Sequence, residues 1–307
     1  MTRPFLRPGD TIFVRGGVYR PASEAVPSPG SVTDDALIRP VASGEPSRPI
    51  TVMAQPNETV VLSGRFPAAA WQALDASATI YYYDYSTPAV FPFDHPFQVV
   101  QDGRLLYRVS TLDSLDRPGR CFVDTTLQRI YAWITDGAPP ASHLMEYGAS
   151  ITGIEFQSGV HGWRLSGLSL AGFRTAGIVI RDGAGSIELD HLDISYAGAH
   201  RPGADPTSGY ALAVYDTAGG NHVHDCNLHH TEAEALHISQ SGSGGGLFEN
   251  NDIHDAGGPD WFQQAYNGEF PIGPGVILRG SRVTVRGNHI HSNGYHGLIL
   301  ESDLRGS

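Results

Sequence analysis

The residues best suited to chemistry lie in the segment HHTEAEALHIS, which carries Glu232, Glu234 and His237, and in two neighbours, Asp216 and Arg279. Two carboxyl groups can hydrolyse a glycosidic bond when they are about 5 Å apart for retention or roughly 6.5–9.5 Å apart for inversion. One of them must be kept protonated by its surroundings. Asp216 with Glu234 is the expected pair and Glu232 the substitute, while His237 could orient a carboxylate or bond a sugar hydroxyl. Each also has a plainer reading. Glu232 and Glu234 could be solvated loop charges, His237 an ordinary exposed imidazole, and Arg279 and Arg181 cations paired with acids along a stack, Arg279 with Glu301.

What brings these residues together is a repeat. From Val160 onward a short apolar alternation, a polar turn, a variable loop and a second alternation recur five times: WRLSGLSL…GIVI, IELDHLDI…ALAV, HVHDCNLH…ALHI, LFENNDIH…GVIL and VTVRGNHIH…GLIL. The anchors Leu165, Leu189, Val223, Phe248 and Val285 are 24, 34, 25 and 37 residues apart, a unit near 24 with two insertions. The pattern is strand-rich and lacks 3.6-residue periodicity, which predicts stacked β-coils, an all-β parallel solenoid. Alternation then sends Ile178/Ile180, Leu212/Val214, Leu236/Ile238, Val276/Leu278 and Leu298/Leu300 inward. One outward column reads Val179, Ala213, His237, Ile277, Ile299, and the other Arg181, Tyr215, Ser239, Arg279, Glu301.

Both large insertions fall just before this strand. The second coil carries AGAHRPGADPTSGY, ending at Tyr210, and the fourth DAGGPDWFQQAYNGEFPIGP, ending at Pro274; the third keeps only HHTEAEA. Two long walls beside one low rung predict a cleft whose floor is Asp216, Glu234, His237 and Arg279. Tyr215, Arg181 and Glu301 flank that floor. Trp261, Phe262 and Tyr266 could stack on sugar faces or pin their own loop, and Asp260 and Glu269 are reserve carboxylates. Two further columns carry less. His229, His254 and His291 read as a polar ladder rather than a metal site, so no metal is expected. Ser166, Asp190, His224, Glu249 and Arg286 read as a solvated, mutually paired face. Asn251 and Asn288 share one turn position with Leu168, Leu192 and Cys226, the start of a stacked amide ladder.

The chain has 307 residues and 40% hydrophobic content, enough for a long core. All 20 basic residues are arginine, and with 32 acids the net charge is -12, which repels nucleic acid, anionic membranes and polyanionic glycans. No apolar run is long enough to span a bilayer, and no secretion signal is visible. Cys121 and Cys226 are expected to be buried free thiols. Residues 65–150 break the coil pattern. FQVVQ-Asp102-Gly103-RLLYRV and RCFVDTTLQRIYAWIT read as hairpins of an inserted β-rich subdomain, between a first coil with a long Pro-rich loop in 1–64 and the coils of 151–307.

The segments GDTIFVRGGVYR and PITVMAQPNETVVLSG resemble the opening coil of right-handed parallel β-helix proteins of the pectate-lyase-like superfamily. The inserted segment resembles one found in a subset of β-helix glycoside hydrolases, through Trp71, Gln98-Val99, Asp102-Gly103, Leu105, Pro118-Gly119, Phe122, Asp124, Ile130-Tyr131 and Trp133. The resemblance implies that the asparagines mark the turn between the second and third sheets, that substrate lies across the first sheet, and that the protein is secreted or periplasmic. A glycoside hydrolase acting on a neutral or weakly charged polysaccharide is the expected function, with an oligosaccharide or polysaccharide as partner, no cofactor and a monomeric state. The alternatives are a polysaccharide lyase with an Arg base and Ca²⁺, disfavoured by the absence of lysine and by the charge, and a non-catalytic glycan-binding β-helix. Both ends read as cut, so a longer chain is expected.

Overall fold

The computed structural model describes residues 6–20, 36–75, 77, 79–86, 98–148, 150–198, 209–240, 245–257, 273–280 and 282–301. Apolar alternation with a period of two builds three parallel sheets of seven strands each, one strand per coil. The first sheet runs Ala36–Ile38, Thr152–Phe156, Ala176–Ile180, Tyr210–Tyr215, Leu236–Gln240, Val276–Gly280 and Leu298–Glu301. The second contains Thr11–Val14 and Ile50–Ala54, followed by His161–Ser166 and its four repeats. The third contains Gly17–Tyr19, Val60–Ser63, Ser169–Ala171 and their counterparts up to His289–His291. A chain that returns to the same three sheets on every turn is a parallel β-helix.

The register agrees with the repeat. Ile178 lies beside Leu212, which in turn aligns with Leu236, Val276 and Leu298. Leu165, Leu189, Val223, Phe248 and Val285 align on the second sheet. The inward residues of all three sheets form one continuous core that includes Phe156, Leu170, Ile178, Leu189, Leu228 and Phe248. One strand departs from the sequence reading. Ala36–Ile38 is the first strand of the first sheet, although it lies within the stretch read as a Pro-rich loop. It is three residues long, too short for alternation to show.

Asn251 is 1% exposed and donates from Nδ2 to Asn288 Oδ1 at 2.9 Å, while its own Oδ1 accepts from Cys226 N at 3.0 Å. The amide ladder expected at this turn is therefore present, and it closes the gap between the second and third sheets. The turn residues beside it, His191, Asp225 and Asn250, all have φ between 52° and 55°.

From Arg65 to Gly148 the chain leaves the coil and forms two further sheets, of four and five strands. Gln98–Gln101 and Arg104–Leu105 pair antiparallel around Asp102-Gly103, whose φ values of 49° and 80° suit a tight two-residue turn. Arg120–Asp124 and Arg129–Trp133 form the other expected hairpin. This insertion has its own core, with Val99, Cys121, Ile130, Ile134 and Met145. Its Gln98 amide donates to the backbone oxygens of Tyr196 and Gly198, at 2.7 and 3.0 Å, just before the second-coil insertion. Both cysteines are free and buried, and burial pushes each thiol up to about 12.

Candidate active site on the first sheet

The outward face of the first sheet changes character as it climbs. On the lower rungs it is occupied by a charge ladder: Glu155, 6% exposed, accepts from Arg39 and from Arg181, the latter at 2.7 Å. Arg181 also reaches Gln157, at 3.2 Å. It thus pairs along the stack and is not brought to Glu234. Glu155 and Arg39 play no part in the sequence reading, because their strands precede the recognised repeat.

Above this ladder the face turns aromatic. Ala213 and Val179 are small, and over them Tyr210 and Tyr215 enclose the ring of His237, with ring centroids at 5.0 and 5.2 Å. The sequence reading treats Tyr210 only as the end of an insertion. Ala211 and Leu212 both join the main core, so alternation breaks at the start of this strand and Tyr210 turns outward against Ala176, Val179, Ala213 and Ala233. The signal that could have revealed it is the pair of small residues, Ala211 and Ala235, in consecutive coils. The two phenols are hydrogen-bonded to each other, and burial, reinforced by Tyr215 and Glu234, pushes the Tyr210 hydroxyl well up. Burial also raises Tyr215, with Glu234 adding to the effect.

Glu234 lies against this aromatic group. Its Oε2 is 3.7 Å from His237 Nδ1, and both atoms are buried without a hydrogen-bond partner. Such atoms are uncommon in folded proteins and mark places where a small shift or a bound group completes the bonding. The side chains are 13% and 7% exposed, so neither is the solvated surface group of the plainer reading. Arg279, one rung above, is hydrogen-bonded to Glu301, which raises its already high value, and the charge of Glu234 adds to this.

Asp216 is not part of this group. It occupies the exposed turn after its strand, with φ 42°, and its rung position is three residues beyond Ala213, the partner of His237. Glu234 lies three positions before His237, in the short segment that precedes the strand. The structure does not bring the expected Asp216–Glu234 pair together: Asp216 follows the strand Tyr210–Tyr215, its N–H bonded to Ser239 O, whereas Glu234 precedes Leu236 at the other end of the next coil's strand. Glu232 is 2% exposed and its backbone N–H donates to the carbonyl oxygen of Ala197. Trp261, Tyr266, Asp260, Glu269 and Phe262 lie outside the described residues, as do most of both insertions.

The remaining columns are accounted for. Asp190 is 1% exposed and accepts from Arg164, Ser166 and His191, so this part of the second-sheet column is buried rather than solvated. The rings of His229, His254 and His291 stack at 4.9 and 5.0 Å and bond to residues one coil below. No helix among the described residues is long and apolar enough to cross a membrane.

Comparison with known proteins supports the architecture. The solved structure "The complex structure of XylC with xylose" superposes with a TM-score of 0.61 at 16% identity, over 97% of this chain and 56% of that one. A structure titled "Glycoside hydrolase" superposes with a TM-score of 0.54 at 11% identity, over 92% of this chain and 81% of that one. The chain thus spans little more than half the length of the first of these. No curated protein sequence matches it. The family described as "Right handed beta helix region" matches residues 152–305, half of the chain. Its aligned coils and that match agree, and the chain belongs to the right-handed β-helix family.

Proposed function

We propose that this protein is a glycoside hydrolase that cleaves a neutral polysaccharide across its first sheet. The observation that carries the reading is Glu234, a largely buried carboxyl beside His237 within the Tyr210–Tyr215 enclosure. With Oε2 lying against His237, Oε1 is the oxygen left to protonate a glycosidic oxygen, and the imidazole holds the carboxyl in orientation. Arg279, bonded to Glu301 one rung higher, also feels the charge of Glu234 and lines the same face. Phenol faces suit a sugar ring, offering apolar area with a polar tip.

Two observations weigh against a uronate lyase. The acid proton of a uronate substrate must be taken by a base while its carboxylate is neutralised. Here the buried phenols are pushed away from the ionised form a base needs, and Arg279 is already engaged by Glu301. The net charge of -12 adds long-range repulsion of a polyanion. Of the two similar structures, one is a complex of XylC with xylose and the other a glycoside hydrolase, which makes a pentose-containing glycan the first substrate class to test.

The test is release of reducing ends from xylan, arabinan and β-glucan, run beside pectin and alginate. Activity on a neutral glycan is expected, with Glu234→Gln lowering turnover by about 10²–10⁴-fold at unchanged circular dichroism. An unsaturated chromophore formed from pectin or alginate would instead establish the lyase. Glycan binding without cleavage, equal in wild type and variant, would establish a binding module.

A further inference from the structure

On the third sheet, three columns of side chains run side by side. The first holds His229, His254 and His291; the residue that follows each of these, in the turn, is His230, Asp255 or Ser292, all with φ of 53–54°. The third column holds Asp193, Asn227 and Asp252. Every histidine of the first column follows one rule. Its Nε2 bonds to the third column one coil below, at 2.8 Å to Asp193, 3.0 Å to Asn227 and 3.0 Å to Asp252. Its Nδ1 faces the turn residue of its own coil.

At His229 that rule fixes where the lone pair of the neutral ring points. Asp193 only accepts, so His229 Nε2 carries the proton and its Nδ1 offers a lone pair. At His291 the corresponding lone pair meets the Ser292 hydroxyl, at 3.1 Å, which can donate to it. At His229 it meets His230 Nδ1 instead, at 2.5 Å. At His254 the Nδ1 faces a carboxylate, Asp255 Oδ2, at 2.7 Å. Two adjacent rungs thus turn imidazole nitrogens and a carboxylate oxygen toward one another where the next rung uses a plain hydroxyl.

We propose that His229, His230 and His254 form a binding site for a divalent transition metal such as Zn²⁺ or Ni²⁺ that staples the third and fourth coils together. The three imidazoles each offer a ligand atom, and these lie within 4.8 Å of one another. A tetrahedral zinc site with bonds of about 2.0–2.1 Å sets its ligand atoms about 3.4 Å apart. The His229–His230 pair opens by a little under 1 Å on this account, and His254 closes in. The partners behind the ligands are already in place. Asp193 behind His229 and Asn227 behind His254 occupy the positions of the outer groups that orient metal-bound histidines and set their tautomer. His230 does not figure in the plain ladder reading of this column, and it is the residue that converts a ladder into a ligand set. It also directly precedes the short segment 231–235 that carries Glu234, so the staple anchors the backbone entering the candidate active site.

The test is titration of chelator-treated protein with Zn²⁺ and Ni²⁺ by calorimetry, with Co²⁺ absorption reporting the coordination geometry. One equivalent per chain is expected, with a tetrahedral Co²⁺ spectrum and a rise in Tm on binding. His230→Asn retains a residue tolerant of the left-handed turn and should weaken binding by more than the roughly 10–100-fold that loss of an outer partner costs. His291→Asn, one coil beyond the ligands, should leave affinity unchanged. Tm of each metal-free variant reports folding separately. Absence of stoichiometric binding, or equal affinity in wild type and His230→Asn, overturns the proposal. So does loss of binding in His291→Asn alone, which would move the ion to the neighbouring Asp252, His289 and His291 group.

Discussion

Asp190 is enclosed on the second sheet and still ionised. Burial alone would raise its carboxyl, but the hydrogen bonds from Arg164, Ser166 and His191 outweigh it and bring the value to about 2, below the ordinary 3.8. A folded value below the unfolded one means that the ionised group stabilises the fold above pH 4, and that this contribution is lost as pH falls from 4 toward 2. The difference amounts to about 2 kcal/mol. Asp190→Asn should therefore be less stable than wild type by about that much at pH 7. The gap should close by pH 2, as measured by urea unfolding across the range. A gap independent of pH would show that packing rather than charge holds this position. Glu234 presents the opposite arrangement, a buried carboxyl that the surrounding protein leaves short of a partner, and this contrast separates a structural acid from a candidate catalytic one.

At the scale of the element, the turn between the second and third sheets shows how one position can be filled by different chemistry along the stack. Leu168 and Leu192 fill it by apolar packing in the lower coils, and Asn251 and Asn288 by hydrogen bonding in the upper ones. Replacing Asn251 by Leu would fit the volume but leave Cys226 N without its partner and remove the side-chain bond to Asn288 Oδ1, which keeps only the backbone N–H of residue 251. Stranding buried groups in this way costs about 1–3 kcal/mol each. The expected result is a drop in the denaturant midpoint of Asn251→Leu, whereas Leu192→Asn should destabilise by burying an amide among Leu165, Leu168 and Leu189. A neutral outcome for Asn251→Leu would mean that the ladder contributes register but little stability. The repeat, the hairpins at Asp102-Gly103 and Asp124, and this ladder were legible in the sequence because each depends on neighbours close along the chain or one repeat away. Ala36–Ile38 was not, since three residues carry no period and its partner Thr152–Phe156 lies beyond the whole insertion.

At the scale of the molecule, charge decides which polymer can approach. A chain with 32 acids against 20 arginines repels a polyuronate at long range, and a neutral glycan feels no such force. Affinity for xylan fragments should therefore change little between low and physiological ionic strength, while any association with alginate should strengthen as salt screens the repulsion. Calorimetry at two salt concentrations checks both. Weakening of alginate binding by salt would mean that a local cluster of arginines overrides the net charge.

The sequence by itself determined the coil, the inward and outward columns and the register that places His237 one rung below Ile277 and one above Ala213. These follow from period-two alternation and a repeat length, both of which are written in residue order. Only the tertiary structure decided which outward residues meet. A column lists neighbours across coils, but side-chain reach, breaks in alternation and position along the strand determine contact. Tyr210 joins His237 because Ala211 takes an extra inward place, Arg181 turns away to Glu155, and Asp216 lies at the far end of its strand from Glu234. His230 meets His229 because a left-handed turn redirects one side chain across the column, a change of direction that alternation cannot express.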